Sequence, residues 1–312
     1  MTKPLTSLDG TPAGRFAFGA MQFGGKADAD QSRAMYDAAR AAGIIHFDTA
    51  WIYTDGASES LLGQMIGSAR DQLLIASKFG AVGGAGMANL HAQFDASRKR
   101  LGMDMIDILY LHGFDPDTDP RVTLEAMAKL REAGQFRYVG LSNFAAWQVM
   151  HWVRLAAEFD LSIDIIQPMY NLVKRQAEVE ILPMSADQDI LVAAYSPLAG
   201  GLLTGKYAQG EKGRLSEDNR YARRYDQGWM YDIASELGEL AGVLRVDAAT
   251  LAVAWVAAQE TGPVPIISAR NVEQLRPSLA AMSYDLPSEL YDRITALSPT
   301  PPLATDRSEE QV

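Results

Sequence analysis

The sequence contains no cysteine, which excludes disulfides, thiolate metal sites and thiol nucleophiles together. Histidine is scarce, with four in 312 residues, and no His and carboxylate spacing resembles a dedicated metal site. Basic charge is also in short supply: 28 Lys and Arg stand against 39 Asp and Glu, a net charge of -11. Such a chain lacks the basic face that nucleic acid or an anionic membrane surface requires, so neither is expected as a partner. An anionic ligand then needs local Lys and Arg to reverse the field. No apolar stretch approaches a membrane span, and Met1 to Gly14 has one Lys and no signal-peptide core. A soluble cytoplasmic protein is the expectation, and no feature sets an oligomeric state.

What is present is an apolar content of 48%, enough for a sizeable core, arranged in a regular alternation. After a first strand predicted within Arg15–Phe23, β-rich runs begin near Ile44, Leu73, Met105, Phe136, Ile163, Ile190 and Val264. From Ile44 to Ile190 the steps are about thirty residues, the size of one βαβ unit. Amphipathic stretches lie between them, among them Asp30–Ala42, Pro120–Ala133, Ala145–Phe159, Ala248–Gln259 and Val272–Met282. Eight runs apolar on both faces suit parallel strands covered by helices, expected as one domain over 1–312. The long connection after the seventh strand, around Gly200–Gly228, reads as a mobile loop on the carboxyl rim. Leu286–Leu297 reads as an extra C-terminal helix and 299–312 as a flexible tail.

Three of the runs end on ionisable residues: Asp48 closes the first, Lys78 the second and His112 the third. Tyr53 follows Asp48 in the same loop. In a barrel of alternating strands and helices the carboxyl rim is where chemistry sits, so four groups meet at one place. Taken singly, Asp48–Lys78 reads as an interior salt bridge, Tyr53 as a half-buried phenol and His112 as a satisfied histidine. As a set at successive strand ends, they outweigh that plain reading. His46 reads as a packed histidine on the same side of the strand as Asp48.

Further segments extend the pattern: Phe47-Asp48-Thr49-Ala50, Gly56-Ala57-Ser58-Glu59, Leu62-Gly63, Ser77-Lys78, Leu111-His112, Gly140-Leu141-Ser142-Asn143-Phe144, Gln167-Pro168-Met169-Tyr170-Asn171 and Tyr195-Ser196-Pro197-Leu198. In this order and spacing the chain resembles the aldo-keto reductases, from about Phe16 to Leu279. The resemblance implies an (α/β)8 barrel and a nicotinamide cofactor, NADPH before NADH, bound without the Rossmann glycine fingerprint. Gly80-Ala81-Val82-Gly83-Gly84 lacks the full form of that fingerprint.

The resemblance also implies that Tyr53 is the general acid in carbonyl reduction. A free phenol titrates near pH 10, and a cation beside it lowers that value, a task that falls to Lys78. Asp48 would keep Lys78 charged, and His112 would hydrogen-bond the substrate oxygen. By the same resemblance Ser142, Asn143 and Gln167 hold the nicotinamide carboxamide, and Tyr195 stacks on its ring. Ser196, Leu198, Gly200 and Lys206 would line the pyrophosphate. Ser268, Arg270, Gln274 and Ser278 would take the adenosine end, with Arg270 on the 2'-phosphate. Asn143 also reads as a cap for the helix starting near Ala145, Tyr195 as a core tyrosine, and Lys206 and Arg270 as solvated residues.

Two positions depart from the family pattern. Ser278 stands where Asn often touches the adenine, and Gly113 where Arg or Trp is more usual, with Trp51 near enough to refill the space as an apolar wall. The activity implied is reversible hydride transfer with a small-molecule aldehyde, ketone, sugar carbonyl or alcohol. The alternative is a nucleotide-binding regulatory subunit of the same fold, as in the channel-associated β subunits. A barrel hydrolase is disfavoured, because no second acid faces Asp48.

Overall fold

The computed structural model describes residues 4–207, 210, 212–307 and 309. Eight parallel strands close in sequence order into a barrel: β1 (Ala17–Gly19), β2 (His46–Asp48), β3 (Leu74–Phe79), β4 (Ile106–Leu111), β5 (Phe136–Ser142), β6 (Ile165–Gln167), β7 (Leu191–Ala194) and β8 (Val264–Ile267). The helices are α1 (Ala29–Ala41), α2 (Ala57–Ile66), α3 (Met87–Leu101), α4 (Pro120–Glu132), α5 (Ala146–Ala156), α6 (Ile181–Asp187), α7 (Arg214–Glu217), α8 (Asn219–Arg224), α9 (Gly228–Leu244), α10 (Ala248–Ala258), α11 (Val272–Ala280) and α12 (Ser288–Thr295). This is the (α/β)8 architecture that the resemblance implied and the strand count agreed with, with the extra helix α12 at the C-terminal end.

Strand alternation divides the core in two. Ala17, Leu74, Ala76, Ile108, Tyr110, Ile165, Ala193 and Ile266 fill the barrel interior, with Leu5 among them. The opposite faces of the strands pack the helices, where Trp152 and Trp255 are fully buried. The Tyr110 ring needs the bare backbone of Gly140, where a Cβ would lie 2.2 Å from it. Asp107 accepts hydrogen bonds from Arg70 at 2.8 Å, Ile75 N–H at 2.9 Å and Arg137 at 3.3 Å, tying β3, β4 and β5 together.

Several strands are shorter than the runs that announced them, because pairing stops where the chain turns into rim loops. β1 keeps three residues of Arg15–Phe23, and the run at Ile163 contributes Ile165–Gln167. The connection after β7, read from sequence as a mobile loop, holds a 3-10 turn at Ala199–Thr204 and the helices α7 and α8. Leu215, Tyr221 and Tyr225 are buried there and supply the apolar contacts that fold it. Ala208, Gln209 and Glu211 of that connection, and Ser308 and 310–312 of the expected tail, lie outside the described residues. No single helix among the described residues is long and apolar enough to cross a membrane.

Candidate active site

Register sets the floor of the site. Gly19 pairs with Asp48 and Asp48 with Ala76, so Lys78 stands one alternation further up β3 on the same interior face. Both residues are buried, and Lys78 Nζ donates to Asp48 Oδ1 at 2.5 Å and to the Thr49 carbonyl at 2.7 Å. Its third partner is the Tyr53 hydroxyl at 3.4 Å. Tyr53 opens a short 3-10 turn beyond β2, in which Thr54 and Asp55 take left-handed backbone angles of +48° and +53°. The His112 ring meets the Tyr53 ring edge-on, with centroids 5.8 Å apart. The four residues singled out in sequence therefore converge.

Their protonation states follow from burial and neighbours. Burial raises the Tyr53 phenol above its ordinary value, and the lowering effect of Lys78 is smaller. Lys78 lowers the phenol as expected, but desolvation outweighs it and the net shift is upward. Tyr53 is a protonated phenol at neutral pH. For Lys78, burial pulls downward, but Asp48 and Tyr53 together more than offset it and hold the ammonium above its ordinary range. Burial, aided by Lys78, lowers His112 to about 3, so its imidazole is neutral.

His46 is lowered to about 4 by burial, against a smaller raising effect of Asp48 and a further lowering by Lys78. Its Nε2 has no hydrogen-bond partner among the described residues. A histidine with a depressed folded pKa leaves the unfolded chain to take the proton first. Stability then falls as pH drops from about 6.5, the unfolded value, through the folded one. Between neutral pH and pH 5 this residue costs about 2 kcal/mol. Urea unfolding at the two pH values is expected to show a smaller difference for His46→Met; an unchanged slope would assign the acid sensitivity elsewhere.

The expected carboxamide residues gather on neighbouring strand ends, but they already bind one another. Ser142 Oγ donates to the Gln167 carbonyl at 3.1 Å, and Gln167 Nε2 donates to Asp48 Oδ2 at 2.8 Å. Asn143 Nδ2 donates to the His112 carbonyl at 2.9 Å and to Ser142 Oγ at 3.0 Å. Its Oδ1 accepts the Tyr195 hydroxyl at 2.7 Å. Asn143 thus spans the ends of β4, β5 and β7. It does not cap α5, whose N-cap is Ala145, with the Ala145 N–H donating to Gln148 at 2.8 Å.

Positive φ angles concentrate on this wall, at Asn143 (+60°), Ser196 (+58°), Ala199 (+50°) and Gly200 (+67°). Non-glycine residues in that region are costly and persist where the surroundings over-determine them, which happens most at functional sites. Leu198 and Gly200 lie where the chain enters the turn after β7, and Leu215 and Tyr221 pack on Gly200. Lys206 reaches back to Gly201, where a Cβ would lie 3.2 Å from its Cε.

At the far end Arg270 is held by a carboxylate that sequence reading did not single out. Glu217 of α7 takes both guanidinium nitrogens, at 2.8 and 3.3 Å, and also Lys26 Nζ at 3.2 Å. Gln274 folds back onto the Arg270 N–H at 3.4 Å, while Asn271 caps α11 through the Gln274 N–H. Ser278 is fully buried within α11 and not open on the groove wall. The Oγ atoms of Ser268 and Ser278 are buried without partners among the described residues. Trp51, expected as a wall beside Gly113, lies under the Arg100 guanidinium at 5.6 Å. Neither Lys26 nor Glu217 carried a sequence signal, since each is a loop or short-helix charge whose partner is set by the fold.

The model of the Aldo/keto reductase family matches residues 15–299. The chain is 31% identical to the uncharacterized oxidoreductase YrpG of Bacillus subtilis over 94% of each chain. It is 36% identical to aflatoxin B1 aldehyde reductase member 2 of Rattus norvegicus, over 65% of this chain and 57% of the rat protein. A probable voltage-gated potassium channel subunit beta of Oryza sativa is 30% identical over 95% of this chain and 96% of its own. A family match across nearly the whole chain and a relative 31% identical over 94% of each chain, on a closed barrel of eight parallel strands, place this chain in the aldo/keto reductase family.

Proposed function

We propose that this chain is an NADPH-dependent reductase of aldehydes, ketones or sugar carbonyls, able to run in reverse on the alcohols. The observation that carries the reading is the Lys78 ammonium between the Asp48 carboxylate and the Tyr53 phenol, beside a neutral His112. The reduced nicotinamide, when bound, supplies a hydride to the carbonyl carbon. Tyr53 donates its phenolic proton to the carbonyl oxygen, and Lys78 steadies the phenolate that remains. Asp48 and the Thr49 carbonyl fix the ammonium in place. Neutral His112 donates a hydrogen bond to the same oxygen, where negative charge develops. In the oxidative direction the phenolate takes the proton back.

The donor set fits a dinucleotide laid along the rim. Asn143, Ser142 and Gln167 would hold the carboxamide and Tyr195 would flank the ring. Ser196, Leu198, Gly200 and Lys206 would follow the pyrophosphate. Ser268, whose buried hydroxyl has no partner among the described residues, and Arg270 would receive the adenosine phosphate. Glu217 already fills the Arg270 fork, so a 2'-phosphate competes with that carboxylate. Arg270→Ala is expected to weaken NADPH about 10- to 100-fold, the value of a charge-assisted hydrogen-bond pair, and NADH far less. Tryptophan-fluorescence titration with each cofactor measures this; equal losses would remove the phosphate assignment.

A second reading has the full-length likeness to the rice channel subunit in its favour. In it, the groove binds the nucleotide and the chain turns over little. The two readings part on one assay, carbonyl-dependent NADPH oxidation by the purified protein.

A further inference from the structure

Arg100 sits near the C-terminal end of α3, away from the groove, yet its guanidinium reaches the loop that carries Tyr53. Nη1 donates to the Trp51 carbonyl at 2.8 Å and to Glu59 Oε2 at 3.1 Å. The guanidinium also lies over the Trp51 ring and against Gly56, where a Cβ would come within 2.3 Å of Cζ. Gly56 leaves room for that head group and supplies the left-handed turn, at φ +92°, that starts α2. Glu59 is wholly buried, and its second oxygen accepts the Ser77 hydroxyl at 2.6 Å.

These contacts connect two places that matter to the reaction. Trp51 lies two residues before Tyr53, and Ser77 immediately precedes Lys78. One ion pair is therefore anchored at one end to the segment bearing the phenol and at the other to the strand bearing the ammonium. The segment needs an external hold, because Thr54 and Asp55 follow Tyr53 in left-handed conformations that do not persist unaided. Thr54 Oγ1 is fastened to the Phe23 carbonyl at 2.8 Å, on the other flank of the turn. We propose that Arg100 and Glu59 are positioning residues that set the separation of the Tyr53 hydroxyl from the Lys78 ammonium, 3.4 Å in this structure.

The inference rests on the reductase reading for its effect on turnover, but it has a readout of its own. The charged and titratable groups facing the phenol are Lys78, Asp48, His112, Tyr195 and Tyr221. Of these, Lys78 is the one that favours the phenolate. Lengthening the contact by about 1 Å weakens that attraction enough to raise the phenol titration by about one pH unit. Arg100→Ala is expected to shift by that amount the tyrosinate absorbance that disappears in Tyr53→Phe. It should also lower kcat about tenfold, with KM for an aromatic aldehyde and Kd for NADPH within about twofold of wild type. Arg100→Lys, which keeps one donor, should lie between the two.

Glu59→Gln preserves shape and still accepts from Ser77, so it carries the test if Arg100→Ala does not fold. It is expected to move the phenol in the same direction. A phenol titration unmoved in Arg100→Lys and Glu59→Gln, with only the melting temperature lowered, would overturn the proposal and leave a helix-packing pair. If wild type turns over no carbonyl, the reductase reading fails, and the phenol titration still decides the positioning role.

Discussion

Tyr53→Phe is expected to lower turnover about 10³-fold, within the range that a positioned general acid contributes. The change removes one oxygen and little else. The phenylalanine ring keeps the edge-on contact with His112, at 5.8 Å between centroids, and stays beneath the Lys78 ammonium, 4.9 Å from the present ring. Lys78 retains Asp48 and the Thr49 carbonyl, so the buried pair survives. Cofactor affinity should remain within about twofold, because no expected cofactor contact runs through the phenol, and the loss falls on kcat. Steady-state reduction of an aromatic aldehyde, with NADPH titration by fluorescence, separates the two quantities. A variant holding more than about a tenth of wild-type turnover would reject Tyr53 as the proton donor.

The part of this site that was legible in sequence is the part built by strand alternation. Asp48, Lys78 and His112 stand out because each closes an apolar run, where a charge has no packing reason to be. Once the runs are parallel neighbours, the register brings Asp48 and Lys78 to one interior face. Tyr53 needed the resemblance as well, since its loop has no period to read, and the left-handed angles at Thr54 and Asp55 come from tertiary contacts. The net direction of the Tyr53 shift was not legible for a related reason. The sequence shows that a cation is near but not how fully the phenol is buried, and burial decides the sign.

Contacts made between elements outside the sheet were not legible. Glu217 and Arg270 stand 53 positions apart, and Arg100 and Trp51 stand 49 apart; no periodicity relates either pair. In the connection after β7, the charged composition masked Leu215, Tyr221 and Tyr225, whose burial folds α7 and α8. Asn143 shows the converse. Its place just ahead of a helix suited a cap, yet its amide satisfies the His112 carbonyl, Ser142 and Tyr195, which three different strands bring to it.

Lys78→Met is expected to cost about 3–5 kcal/mol of stability, the penalty for stranding one partner of a buried ion pair. Methionine keeps much of the length of lysine and none of its charge. Asp48, only 3% exposed, would be left with the Gln167 amide as its side-chain partner. The cost is therefore the uncompensated carboxylate rather than lost packing, and a second substitution shows this. Asp48→Asn in the Lys78→Met background removes the stranded charge while keeping an acceptor for Gln167, so the double variant should be more stable than Lys78→Met alone. Urea unfolding gives both values, provided the slope with denaturant is unchanged across the series. A double variant no more stable than the single one would show that Asp48 is not the source of the penalty. The recovered double variant should still turn over at least about 10²-fold more slowly than wild type, since its phenol has no cation beside it to hold the phenolate. Stability regained without activity would assign the Asp48–Lys78 pair to the proton transfer of Tyr53 and not to the integrity of the barrel.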